Sequence, residues 1–274
     1  MEEIESKRIS ENDVGNRWKP YKDSAFSLSF SSPRETYHEP QRDVILLVMS
    51  ALPFTVEDFL QVFVSYNESV WPVHLVAYAL GIWSVYLAVT AGWKSKKNIN
   101  RILSLLWIWI GFVYHILFFT AINGAAYLFG ALFILQGLIF LTGNRAESLL
   151  SYKFQWDIYG ITGLLMILYA MIIYPVLGHL LGHQYPEAPV FGLAPCPTVI
   201  FTLGLMLWTS GKVSYRFIVI PFLWSLVGFS AAWQLGIYED FGLVFSGILA
   251  TGLILYRNRR SETNSLKSQS LYEA

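Results

Sequence analysis

Cysteine is almost missing from this chain: Cys196 stands alone among 274 residues. A lone thiol excludes an intrachain disulfide and any metal site built from several cysteines. Charge is scarce as well, at 14% of residues, where a soluble domain carries roughly 25%. Lys+Arg and Asp+Glu balance at 19 each, so no excess of either sign calls for an oppositely charged polymer, and no nucleic-acid partner is expected. The chain has no Gly-rich nucleotide loop, no nucleophile elbow and no Ser/His/Asp spacing suited to hydrolysis. Its polar start does not read as a cleavable signal segment.

What the chain has in quantity is apolar surface: 54% hydrophobic residues, 16% aromatic, and ten tryptophans. The apolar residues fall in repeated runs of about 20, the length that crosses a bilayer. The composition therefore predicts an all-α, polytopic membrane protein whose main partner is the lipid bilayer. Residues 1–48 differ. They hold 16 of the 38 charged residues, show no periodicity, and read as a disordered polar tail. Met49, just ahead of the membrane pattern, offers an alternative start that would make this tail an upstream over-extension.

Residues 49–70 contain a helix signal. Thr55 can cap, Glu57 and Asp58 fall where the helix dipole favours acids, and Phe59, Val62, Phe63 and Tyr66 recur at helical spacing. This predicts a short amphipathic helix lying in the membrane interface. A seven-helix transmembrane domain is expected over residues 71–257, with spans Trp71–Trp93, Arg101–Ile122, Gly124–Gly143, Asp157–Gly182, Pro197–Gly211, Phe217–Gly236 and Phe241–Tyr256. Residues 258–274 read as a polar cytoplasmic tail. Twelve Lys/Arg fall on the side of the first loop and none in the loops of the other side, while the remaining seven lie in the N-terminal tail, too far from the first span to count. By the positive-inside rule this puts the N-terminus out and the C-terminus in. The order admits a 3+1+3 arrangement, for which Phe129-Gly130 and Phe241-Gly242 are a weak internal echo.

The fifth span is short. Its 15 residues cover about 22 Å at 1.5 Å per residue, against a hydrocarbon core of about 30 Å. The preceding residues 188–196 are apolar but broken by Pro189, Gly192 and Pro195. They are expected to re-enter the membrane as a non-helical segment, which needs polar partners or a water-filled cavity. The expected pocket gathers His115, Asn123, Gln136, His179, His183, Tyr185, Glu187, Cys196 and Thr198. His115 is an ionisable residue inside a span, and Asn123 and Gln136 are its candidate hydrogen-bond partners. His179 and His183 are four apart, the spacing of a helical metal pair. That pair makes zinc an alternative, although no cofactor is required. Both would equally serve as interfacial histidines. Glu239 and Asp240, in the last outer loop, read as solvated.

Several stretches carry a resemblance: Leu52-Pro-Phe-Thr-Val-Glu-Asp-Phe59, Tyr66-Asn67, Val70-Trp71-Pro72, and Gly182-His-x-Tyr-Pro-x-x-Pro-x-Phe-Gly-x-Ala-Pro-Cys-Pro-Thr198. With these the chain resembles a family of bacterial multi-pass membrane proteins known only as a domain of unknown function. The resemblance implies a cell (inner) membrane location and no particular activity. On its own residues the chain is expected to bind or carry a small polar solute or ion through an outward-facing cavity. A metal-dependent hydrolase built on the HxxxH pair, and a structural or sensory protein without chemistry, are the alternatives.

Overall fold

The computed structural model describes residues 52–90, 95–143 and 150–272, with side chains to residue 263. The expectations for residues 1–48, for Met49 and for Trp93 fall outside these residues. Helix α1 (Val56–Ser69) begins as its sequence predicts. The Thr55 hydroxyl accepts from the Asp58 amide at 3.1 Å, and the Asp58 carboxylate accepts from the Thr55 amide at 3.0 Å. Its buried face is Val62, Phe63, Tyr66 and Asn67. That face packs on protein, with Phe63 stacked on Tyr114 at 5.1 Å between ring centres and Tyr66 edge-on to Phe118 at 5.2 Å. Burial of a ring such as Phe63 stabilises the docked helix by about 1.5–3 kcal/mol.

The membrane pattern forms a helical bundle. Helix α2 is Val73–Thr90, and α3 is Ser95–Trp109. From there the chain continues as a π-helical stretch, Ile110–Phe118, and a 3-10 turn, Phe119–Ala121. Helix α4 is Ala126–Thr142. Helix α5 (Ile158–Leu168) passes through a second π stretch, Tyr169–Ile173, into α6 (Tyr174–Leu180). Pro175 explains the second widening, because its ring cannot accept a regular helical turn before it. Helices α7 (Pro195–Leu207), α8 (Val219–Leu235) and α9 (Phe241–Tyr272) complete the bundle. Five helical stretches are long and apolar enough to cross a membrane: Val73–Thr90, Ser95–Ala121, Ile158–Leu180, Tyr215–Leu235 and Tyr238–Thr263. Ala126–Thr142 and Pro195–Leu207 are apolar but shorter. Large apolar side chains such as Leu75, Ile82, Leu128 and Phe245 face outward, as expected where the solvent is lipid. From residue 258 the chain continues the last helix, since α9 runs on to Tyr272.

Helix α7 occupies the centre. All residues from Pro197 to Leu207 are buried, enclosed by α3, α5, α8 and α9. Its shortness is therefore not a mismatch with lipid, because lipid does not reach it. Close packing around it depends on glycine. A Cβ on Gly163 would sit 2.6 Å from the Gly204 carbonyl oxygen, and one on Gly204 would sit 2.8 Å from that of Gly163. Gly111 and Gly130 make the same crossing between the π stretch and α4, at 2.7 Å each way. Small residues at such crossings let backbones approach where no hydrophobic force acts between helices.

At one end of the bundle, called lower here, Ser151–Tyr152 (β1) pairs antiparallel with Thr209–Ser210 (β2). The Arg257 guanidinium donates to the carbonyls of Leu207 at 3.1 Å and Thr209 at 2.6 Å, and to the Thr209 hydroxyl at 2.9 Å. It closes the carbonyl end of α7, which has no further turn to satisfy it.

Candidate functional site

The upper end carries residues 181–194, the loop ahead of α7, exposed at its start and buried at its end. Residues Phe191–Pro195 are buried yet not helical, apart from Pro195 where α7 begins. Gly192 has φ +80°, and a Cβ there would meet that of Ala77 at 2.7 Å, so only glycine fits. The loop's backbone is satisfied by protein. Tyr66 O–H donates to the Leu193 carbonyl at 3.1 Å, and Asn67 Nδ2 donates to those of Pro186 at 2.6 Å and Ala188 at 2.9 Å. The Gly192 amide donates to Thr198 Oγ1 at 3.0 Å, and that hydroxyl donates to the Ala194 carbonyl at 2.7 Å. Thr198 is thus a loop clasp. Burial pushes the Tyr66 hydroxyl above its usual value, against the opposing effect of the Trp109 N–H bonded to it at 2.8 Å, so it stays a neutral donor. Tyr66 and Asn67, from α1, are partners that the loop's own neighbours did not reveal.

Beside this loop lies a cavity of about 100 Å³ between α1, the first π stretch, α4, the start of α7 and α8. Most of its wall is apolar, and aromatic rings are prominent in it, including Phe59, Phe63, Phe119, Phe129 and Trp224. Its polar lining is Tyr114, His115, Asn123, Cys196, Ser230 and Asp240. The π stretch places Tyr114 and His115 side by side in the interior. His115 is fully buried, and neither ring nitrogen has a hydrogen-bond partner. Its ring lies among Phe133 at 4.9 Å and Trp224 at 5.2 Å. The expected clamp to Asn123 and Gln136 is not made. Asn123 Oδ1 accepts from the Ala125 amide at 3.0 Å, while the Gln136 amide is buried without a partner and does not line the cavity.

Asp240 reverses the solvated-loop expectation. Glu239 is fully buried and Asp240 nearly so, at 3% exposure. Tyr174 O–H donates to Asp240 Oδ1 at 2.5 Å, Tyr169 O–H donates to the Glu239 carbonyl at 2.7 Å, and Glu239 Oε1 lies 2.7 Å from His183 Nδ1. The two carboxyls therefore face different ways, Glu239 to the loop histidine and Asp240 to the cavity. The only available sequence signal was two adjacent acids at the mouth of a span.

The remaining expected site residues do not converge on the cavity. Helix α6 ends at Leu180 and Gly182 has φ +98°, so His179 and His183 do not share a helix face. His179 is exposed. Tyr185 is exposed and meets the His74 ring edge-on at 5.6 Å, and Glu187 is exposed in the loop. Among the described residues no three His, Cys, Asp or Glu side chains group to hold a metal. Residues 56–265 match a family model described as a family of unknown function (DUF6064). No curated protein and no solved structure matches the chain.

Proposed function

The chain belongs to the DUF6064 family, and we propose that it is an integral membrane protein that binds a small solute in the cavity at its upper end. The carrying observation is that His115, a fully buried ring with two unpartnered nitrogens, lines a cavity together with Cys196 and Asp240. A buried polar group without a partner is costly, and a small guest with hydrogen-bonding atoms offsets that cost. The aromatic wall amends the sequence reading: the guest is apolar over most of its surface, with a polar end. In the membrane the chain crosses seven times, upper end outside, with α4 and α7 as the short spans. Support comes from the basic residues between and after the spans, which fall in the segments on the side of the first loop.

Cys196, the one thiol of the chain, provides the test. In membranes, methyl methanethiosulfonate is small enough to enter and should modify it. Ala231→Phe, which places a ring at the cavity wall, should slow that reaction about tenfold. An unchanged rate would mean that the cavity is not the route to Cys196, and the binding reading would fail.

A further inference from the structure

The charge of the cavity wall has one sign. Among the described residues Asp240 is its carboxyl, and no lysine or arginine lines it. Glu239, next in sequence, takes the hydrogen bond of His183, and among the described residues no ion pair is formed by Asp240. The Asp240 Oδ1 atom accepts from the neutral Tyr174 hydroxyl, which orients the carboxyl and brings no positive charge to it. The same cavity is lined by the rings of Phe59, Phe63, Phe119, Phe129, Tyr114 and Trp224. Aromatic faces attract a cation most strongly where water is excluded. His115 adds an independent sign of a guest, since a neutral imidazole has one nitrogen free to accept a hydrogen bond and here that nitrogen has no partner. An anion at this position would face a carboxyl with no compensating positive group, a costly arrangement.

Resting on the binding reading above, we propose that the cavity takes a small organic amine in its protonated form, its ammonium on Asp240 and His115 and its apolar body among the aromatic rings. A volume of about 100 Å³ suits one ring or a short chain. The same ammonium chemistry is offered by free amines and by the ethanolamine headgroup of a lipid.

The test uses the full chain in phosphatidylglycerol nanodiscs, which lack amines. Protection of Cys196 from methyl methanethiosulfonate is followed with benzylamine, benzyl alcohol and benzoate, three guests of similar shape and different charge. Benzylamine should protect at a concentration about tenfold below that of benzyl alcohol, and benzoate should not protect. Asp240→Asn, which keeps an acceptor for Tyr174, should bring the amine and the alcohol to within about twofold of each other. The comparison in the unmodified protein stands even if that variant fails to fold. Equal protection by amine and alcohol there would overturn the amine assignment and leave the binding reading intact. If no guest protects while Ala231→Phe still slows the thiol, the amine assignment falls alone. If Ala231→Phe is also without effect, both fall. Protection that appears on adding phosphatidylethanolamine would identify the lipid headgroup as the amine source, and protection by benzylamine alone a free amine.

Discussion

At the scale of single residues, the upper end is governed by groups that burial has left with few partners. Glu239 is fully buried, its Oε1 meets His183, and its Oε2 meets nothing. His183→Ala should therefore strand a carboxylate and cost about 3 kcal/mol, the lower part of the range for breaking a buried pair, because the His183 side chain retains 16% exposure. Thermal unfolding in detergent would show this as a large drop in Tm. The double variant His183→Ala with Glu239→Gln should recover most of the loss, since a neutral amide is cheaper to bury. A double variant no better than the single one would refute that account. Tyr66→Phe should also destabilise, by about 2 kcal/mol, because it orphans both the Leu193 carbonyl and the Trp109 indole N–H. Tyr66 and Asn67 had been read only for helical spacing and resemblance. A side chain that reaches 127 residues along the chain leaves no local pattern.

At the scale of elements, the apolar runs marked the helices closely, with ends at Gly, Pro and capping residues. Thr55, Asp157 and Pro195 all stand at helix starts. The loop was also legible up to residue 194, because a chain too apolar for water and too rich in Pro and Gly for a helix has few other places to go; Pro195 and Cys196, read as part of it, instead open α7, since proline is tolerated in a first helical turn. The π stretch Ile110–Phe118 was not legible, because IGFVYHILF changes hydrogen-bond register without changing composition. Asp240 was missed for a different reason. Whether an acid at a span end is solvated depends on what covers it, and its hydroxyl partner Tyr174 is 66 residues away. Asn67→Ala would free the Pro186 and Ala188 carbonyls and should loosen the loop. Hydrogen exchange over residues 186–194 should then rise at least tenfold while α7 stays protected. Gly163→Val should be worse than either, since any Cβ there meets the Gly204 backbone, with no flexible neighbour to yield. Reduced membrane-inserted yield is its readout.

At the scale of the molecule, the basic residues that flank the spans lie at the lower end, where Lys212 pairs with Glu262, and the upper end holds the buried acids Glu239 and Asp240. A tag placed after Lys96 should be unreachable from outside intact cells and become reachable on permeabilisation; the opposite result would invert the orientation. The two ends also differ in how they are held. The upper loop is secured by several neutral hydrogen bonds from α1, while at the lower end one guanidinium closes α7. Arg257→Lys should not rescue Arg257→Ala, because one guanidinium nitrogen serves the carbonyls of Leu207 and Thr209 while the other serves the Thr209 hydroxyl, and a point charge has no such fork. Both variants should melt well below the parent.

That single closure bears on how the protein is made. Arg257 lies 50 residues beyond Leu207, and chains grow at about 5–20 residues per second. For on the order of 2.5–10 seconds, α7 exists without the group that ends it and without α8 and α9 to enclose it. A 13-residue apolar helix is a poor substrate for stable insertion on its own. Its settling must therefore wait for the last helix, and a ribosome halted between Leu207 and Arg257 should leave α7 open to protease.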